Sequence, residues 1–116
     1  MKLSPAILRA AYAMLDECEP FSRWNLPAAE DVKFKVGKDR TCYGTCTHHR
    51  PHNFTLTFSS HWIGTATTLV ETVAHEMVHV HLFCHPKMGR GGEHNAAFHR
   101  YADQVCKSLG FDRSRF

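Results

Sequence analysis

The stretch VETVAHEMVHVHLF at residues 70–83 constrains this chain more than any other, because it joins helical apolar spacing to the pattern H-E-x-x-H at 75–79. Residues four apart on a helix lie about 40° apart around its axis and roughly 6 Å apart along it. His75 and His79 can therefore point both imidazoles at one metal ion, and Glu76 lies next to that face. The alternative is a chance pattern on an ordinary solvated face. The apolar neighbours favour a metal site, since polar groups in or near a core need partners.

A hydrolytic metal centre of this kind needs a third protein ligand, and three downstream residues are candidates: His85, Glu93 and His94. His85 has the spacing of H-E-x-x-H-x-x-G-x-x-H enzymes, but Leu82 replaces the glycine that would break the helix. If the helix continues, His85 lies about 9 Å beyond His79 and cannot reach the same ion.

Glu93 would suit enzymes that take a glutamate from a following helix, but Ala97 stands where their aspartate is usually found. His94 follows the glycine-rich loop GRGG at 89–92 and opens the last predicted helix. Such a loop can fold the chain back over the metal. The sequence therefore favours His94 as the third ligand, with Glu93 and His85 open as alternatives.

Helix and strand signals surround this segment with the elements of an α+β domain. A first helix is predicted from Pro5, capped by Ser4, to about Cys18. Alternating apolar and polar residues predict short strands at 32–36, 41–47 and 54–59. We expect these three strands to form an antiparallel sheet, because their connections are too short to hold a crossover helix.

The remaining elements are two helices. Thr68 and Glu71 match a capping box, which predicts that the H-E-x-x-H helix begins there and runs to about Phe83. A last helix is predicted over 95–110, with Gly110 as its stop signal.

Length and composition predict one globular domain over residues 1–116, with 43% hydrophobic and 22% charged residues. The net charge of +3 allows an acidic partner such as nucleic acid without requiring one. Five cysteines are an odd number, and the N-terminus lacks the features of a signal peptide. No apolar run reaches the ~18 residues of a membrane span. We therefore expect an intracellular monomer, cytoplasmic or associated with the nucleoid or nucleus, with no membrane partner.

Basic and aromatic residues cluster around the predicted hairpin, and they are candidates for contacts with single-stranded or damaged DNA: Lys33, Lys35, Lys38, Arg40, Tyr43 and Arg50. Basic side chains can follow phosphates while aromatic rings stack on bases. A solvated sheet edge, protected from aggregation by its lysines, explains the cluster equally well.

Two cysteines also raise the question of a second metal site. Cys42 and Cys46 could join Cys84 or His85 around another ion. Their C-x-x-x-C spacing is looser than that of most zinc knuckles, so packed thiols on a strand are the favoured interpretation.

Three segments, in the right order, resemble the SprT-like family of zinc metalloproteases, which includes enzymes that degrade proteins crosslinked to DNA. Residues 69–83 resemble its signature helix, CYGTC at 42–46 resembles its C-x-G-x-C strand, and GGEHNAAF at 91–98 is similar to its G-H-G-x-x-F/W segment. Asn95 departs from the family, which usually has glycine after the ligand. The resemblance spans roughly residues 5–110.

The resemblance implies a zincin-like fold with one catalytic Zn²⁺ held by His75, His79 and His94. It also implies that Glu76 is the general base, which activates a zinc-bound water to hydrolyse a peptide bond in a protein or peptide substrate. A DNA-associated role in DNA–protein crosslink repair is implied as well, in a minimal form whose DNA contacts lie within this domain.

Peptide hydrolysis further requires a group that stabilises the oxyanion and a surface that holds the substrate. The candidates for the oxyanion contact are Tyr101, His99, Arg90 and His81, and the sequence does not choose among them. We expect the strand at 54–59 to be an exposed edge that pairs with extended peptide.

Two other functions are open at this point. The first is a non-catalytic zinc-containing module that binds DNA or protein, in which a fourth protein ligand closes the metal site. The second is a small metal-dependent hydrolase with a non-peptide substrate.

Overall fold

The computed structural model describes residues 1–86 and 94–116. Its main elements are, in order, α1 (Pro5–Asp16), β1 (Val32–Gly37), β2 (Gly44–His49), β3 (Asn53–Ser59), α2 (Ala66–Phe83) and α3 (Ala96–Leu109). Short 3₁₀ turns occur at Phe21–Arg23, Ala29–Asp31 and Arg113–Arg115. The predicted α+β class and the order of helices and strands are confirmed.

The ends of α1 and α3 follow from local capping. The Ser4 hydroxyl accepts a hydrogen bond from the Ile7 amide at 3.2 Å, as its position before Pro5 predicts. At the other end of the chain, Asn95 accepts from the Phe98 amide, and α3 stops at Gly110 in the left-handed conformation with φ of 77°.

The start of α2 differs from the predicted capping box. Thr65, not Thr68, is the N-cap, and its hydroxyl accepts a hydrogen bond from the Thr68 amide at 3.2 Å. Thr68 therefore lies within the first turn of α2. Glu71 is buried and makes an ion pair with Arg115 instead of closing a capping box.

The sheet is mixed, with strand order β1-β3-β2, so the expected all-antiparallel arrangement is wrong. β2 and β3 form the predicted antiparallel hairpin, but β1 pairs parallel to β3. The connection between β1 and β3 contains β2 itself, which is enough chain to carry the backbone across without a helix. β3 is consequently the central strand, and β2 is an edge.

The core forms where α1 and α2 cover one face of this sheet. Phe54, Leu56 and Phe58 of β3 are buried, while Thr55 and Thr57 alternate with them, which confirms the predicted pattern. α2 also contacts β2 and α3. The H-E-x-x-H helix is thereby held between the sheet edge and the last helix. Within residues 1–86 and 94–116, no helix is both long enough and apolar enough to cross a membrane.

Candidate metal centre

Three histidines converge where the middle of α2 meets the residue before the N-cap of α3. His75 and His79 lie one turn apart on α2, and His94 precedes Asn95, the N-cap of α3. The ring centroids are 5.1 Å apart for His75 and His79, 5.3 Å for His75 and His94, and 5.2 Å for His79 and His94. Each residue offers one nitrogen, and these nitrogens lie within 4.8 Å of one another.

This triangle fits a metal ion such as zinc. Imidazole nitrogens bind zinc at about 2.0–2.1 Å, so three of them around one tetrahedral ion are roughly 3.3 Å apart. The nitrogens of His75, His79 and His94 lie within 4.8 Å of one another, so they would move only slightly closer together to reach this spacing. The three residues could therefore hold one metal ion.

Phe98 forms a common support for the three rings. Its centroid lies 5.0 Å from that of His75, 4.7 Å from that of His79 and 4.5 Å from that of His94. Phe98 is buried and sits one turn after His94 in the chain. Its ring restricts the side-chain freedom of all three histidines, which lowers the entropy lost when an ion binds.

Burial keeps the two histidines of α2 neutral. It lowers the pKa of His75 to about 4, against a smaller opposing effect of its hydrogen bond to Phe116. Burial likewise lowers the pKa of His79 to about 3, and the neighbouring His75 and His94 add to this shift. A neutral imidazole has the free lone pair that metal binding requires, so the two rings are ready to bind an ion at neutral pH.

Glu76 lies next to the histidine triangle and is only 4% exposed. Its carboxylate approaches β2 at Gly44, where a Cβ atom would lie 3.4 Å from Glu76 Oε2. The same Cβ would lie 3.1 Å from Phe58 Cδ1 and 3.2 Å from the Thr57 carbonyl oxygen. Gly44 therefore allows α2 and the sheet to approach closely beside Glu76.

A cleft of about 1260 Å³ runs between β2 and the histidine-bearing face of α2. His75, Glu76, His79 and His94 all line it. Other lining residues come from β2 and the turn after it, including Cys46, His48, Arg50 and His52. A polypeptide segment could thus reach the metal centre and Glu76 together.

The other candidates for the third ligand have different positions. α2 continues past Leu82, as its helix propensity predicts, and His85 packs instead against His81 with ring centroids 4.8 Å apart. Glu93 lies outside the described residues. Among described residues, the histidine triangle is the one group of three or more His, Cys, Asp or Glu side chains close enough to hold an ion. A second metal site at Cys42 and Cys46 thus has no support in this part of the chain.

The three described candidates for the oxyanion contact do not gather at the cleft. Tyr101 packs against Trp24 and His81, and the His99 ring receives a hydrogen bond from Arg113 at 2.7 Å. Neither Tyr101 nor His99 is among the described residues that line the cleft. His81 is buried against Trp24.

Arg90, the fourth candidate for the oxyanion contact, lies outside the described residues.

The basic and aromatic candidates for DNA contact are all exposed but do not form one patch. Tyr43 and Arg50 line the cleft, and Tyr43 stacks on the exposed Trp62 with centroids 5.6 Å apart. Lys33 and Lys35 project from β1, at the opposite edge of the sheet from β2.

The other two basic candidates, Lys38 and Arg40, follow β1 in the connection to β2.

Sequence reasoning missed the C-terminal residues that contact His75 and Glu71. The main-chain oxygen of Phe116 accepts a hydrogen bond from His75 Nδ1, and Arg115 pairs with Glu71 at 2.7 Å. These contacts join residues 41 and 44 positions apart. The local signal was Glu71, an acidic residue four positions before His75 on the predicted helix.

Comparison with known proteins gives one result that covers nearly the whole chain. The model of the SprT-like family matches residues 11–115. This range includes the H-E-x-x-H helix, His94 and β2. No curated protein matches the chain.

Proposed function

Because this chain belongs to the SprT-like family, a family of metalloprotease-like domains with a zincin-like fold, we propose that it is a zinc-dependent endopeptidase. The observation that carries the proposal is the convergence of His75, His79 and His94 beside Glu76 on the wall of one open cleft. A structural zinc site is closed by four protein ligands, whereas a catalytic site is accessible to water and substrate. Three histidines lining a cleft support the catalytic type.

In this proposal, the three histidines hold a single zinc ion. When bound, zinc supplies Lewis acidity, which makes water more acidic and polarises a peptide carbonyl. Glu76 accepts a proton from the attacking water and later delivers it to the leaving amine. The low exposure of Glu76 supports this role, since it keeps the carboxylate inside the cleft beside the three histidines.

We also propose that substrate peptide pairs with the outer edge of β2. The earlier expectation assigned this role to the 54–59 strand, but that strand is β3, whose two sides are both occupied. Residues of β2 line the cleft, and its backbone alternates between β3 and the open side. The Ser59 amide donates a hydrogen bond to the Tyr43 carbonyl, so the main-chain groups of Tyr43 face β3. Because alternate residues of a strand face opposite sides, the main-chain groups of Gly44 and Cys46 are predicted to face the cleft.

The metal assignment is tested by zinc content after mild chelation. We expect His94→Ala to lose zinc, while His85→Ala retains it because its ring lies against His81. Glu76→Gln should keep both the zinc and the fold but lower hydrolysis of an unfolded protein substrate by about 10²–10⁴-fold, the usual contribution of a general base.

Three outcomes would count against the proposal. Zinc loss in His85→Ala instead of His94→Ala would refute the ligand set. Full hydrolysis by Glu76→Gln would refute the role of the base. A wild-type protein that holds zinc yet cleaves no peptide bond would favour a non-catalytic zinc-containing module that binds DNA or protein.

Peptide pairing is tested by methylating single amides of a cleavable peptide. Methylation at alternate positions should lower kcat/KM several-fold or more, since each lost hydrogen bond contributes about 0.5–1.5 kcal/mol. The intervening positions serve as matched controls. A uniform response along the peptide would contradict β2 pairing.

DNA association is a further part of the proposal, with single-stranded or damaged DNA as the partner. The exposed Tyr43–Trp62 stack and the exposed Arg50, which border the cleft at opposite ends of β2, support it, because stacked aromatics and a cation suit unpaired bases and phosphates. Tyr43→Ala and Arg50→Ala should weaken binding of single-stranded DNA, and Arg50→Ala should also reduce its salt dependence. Unchanged binding in both variants would exclude this surface.

A further inference from the structure

The segment 112–116 reaches the histidine triangle, and its residues Arg115 and Phe116 also line the cleft. It begins at Asp112, whose carboxylate accepts hydrogen bonds from the amide and hydroxyl of Ser114 and so shapes the 3₁₀ turn Arg113–Arg115. The turn places the Phe116 ring beside the His75 ring, with the two ring centroids 5.3 Å apart.

A hydrogen bond links this segment to the candidate metal ligand His75. The main-chain oxygen of Phe116 lies 2.5 Å from His75 Nδ1. An oxygen of this kind can only accept, so Nδ1 must carry the hydrogen. The neutral His75 ring therefore presents Nε2, with its lone pair, as the atom available to a metal ion.

Two arginines fasten the segment to the helices on either side. Arg115 pairs at 2.7 Å with Glu71 of α2, which lies four residues before His75 in the helix and is only 8% exposed. Arg113 pairs with Asp103 of α3 at 2.6 Å. An arginine–carboxylate pair with one partner buried is stronger than an exposed one, so the Arg115 contact is the better anchor.

We propose that segment 112–116 is a brace that sets the tautomer and orientation of His75 for metal binding, with Arg115 as the positioning residue that holds it in place. The proposal rests on the role of His75 as a metal ligand proposed above. Groups that hydrogen-bond to a ligating histidine typically change metal affinity by about 10–100-fold when they are lost.

The sign of the effect separates the brace from simple electrostatics. Arg115→Ala removes a positive charge near the metal centre and leaves the Glu71 carboxylate without this partner. Electrostatics alone would then increase the affinity for a cation. The brace predicts the opposite, because the Phe116 oxygen is no longer held against His75.

The experiment measures zinc affinity by competition with a chelator. We expect Arg115→Ala to weaken zinc binding by about 10–100-fold and Arg115→Lys to recover part of the loss, since an ammonium can still pair with Glu71. Arg23→Ala is the matched control, because it removes an exposed ion pair with Glu19 outside the metal centre and should leave the affinity unchanged. Unchanged or tighter zinc binding in Arg115→Ala would overturn the brace.

A second readout is the ¹⁵N NMR spectrum of the metal-free protein at pH 7. Wild-type His75 should show one tautomer with the hydrogen on Nδ1, and Arg115→Ala should show a mixture of tautomers. Arg115→Ala with the wild-type tautomer would overturn the proposal even if its zinc affinity changed, since the change would then have another cause.

His75→Ala distinguishes failure of the brace from failure of the metal site. If His75→Ala binds zinc like the wild type, the proposed ligand set is wrong and the brace proposal is refuted as well. If His75→Ala loses zinc while Arg115→Ala binds normally, only the brace is refuted. Neither measurement depends on hydrolysis, so an inactive but zinc-binding protein still tests the brace.

Discussion

Gly44→Ala tests whether close approach of β2 to α2 positions Glu76. The added methyl would meet Phe58 Cδ1 at 3.1 Å and the Thr57 carbonyl oxygen at 3.2 Å, both closer than ordinary contact, and Glu76 Oε2 at 3.4 Å. The backbone φ of Gly44 is not in the left-handed region, so alanine is conformationally acceptable there. The substitution therefore probes crowding alone.

The expected loss of stability is small. Overpacking lowers the free energy of unfolding by about 1–3 kcal/mol. Replacing glycine by alanine at a compatible position raises it by about 0.4–1 kcal/mol, because the unfolded chain has less conformational entropy. The net destabilisation of Gly44→Ala should be roughly 1–2 kcal/mol, so the variant stays folded. Denaturant unfolding followed by circular dichroism measures it.

The expected loss of activity is larger than this change in stability suggests. The Thr57 oxygen belongs to the central strand and cannot move alone, so β2 or the Glu76 carboxylate must shift by a few tenths of an ångström. Misplacement of a reacting group on this scale should lower kcat/KM by about 10–100-fold. Zinc content should stay at the wild-type level, because the contacts of the new methyl do not include the three histidines.

Two other glycines provide matched controls. A methyl at Gly64 would meet nothing within 4 Å, and one at Gly37 would make only an ordinary 3.5 Å contact with Thr57 Cγ2. Gly64→Ala and Gly37→Ala should hydrolyse peptide like the wild type. Equal kcat/KM for folded Gly44→Ala and Gly64→Ala would refute the positioning argument.

Three further predictions concern the metal centre. Burial lowers the folded-state pKa of His75 to about 4 and of His79 to about 3, so between these values and 6.5 the unfolded chain binds more protons than the folded one. Metal-free protein should therefore lose roughly 2 kcal/mol or more of stability between pH 7 and pH 4.5, and a flat profile in denaturant titrations would contradict this. Phe98→Ala should lower stability by about 3–5 kcal/mol and weaken zinc binding, whereas Phe98→Leu should cost much less; equal unfolding midpoints for the two variants would show that Phe98 is not the support of the site. Zinc at a hundred times its dissociation constant should stabilise the wild type by about 2.7 kcal/mol but not His94→Ala, and calorimetric melting curves that shift equally for both would exclude His94 as a ligand.

Local interactions explain which features of the fold could be predicted. The Ser4 cap of α1, the stop at Gly110 and the alternation of Phe54, Leu56 and Phe58 each depend on residues a few positions apart. Hydrogen bonds and side-chain periods at this range act within a single element. The same reasoning placed His75, Glu76 and His79 on one stretch of helix.

The order and direction of the strands could not be predicted from local sequence patterns. Strand direction and order depend on which edges meet, and alternation of side chains is the same for a parallel and an antiparallel neighbour. β1 could therefore be recognised as a strand but not as the parallel partner of β3. The same ambiguity made β3 look like an exposed edge when it is the central strand.

The amino-acid sequence alone was sufficient for the family resemblance and for the candidate ligand pair on α2, because both reside in short segments with a fixed period. Only the tertiary structure could bring His94 to that pair and set Gly44 against Glu76. The contact between His75 and Phe116 spans 41 residues, and no local pattern encodes it. Such contacts arise when separate helices and strands pack around one core, since packing, and not sequence proximity, decides which side chains meet.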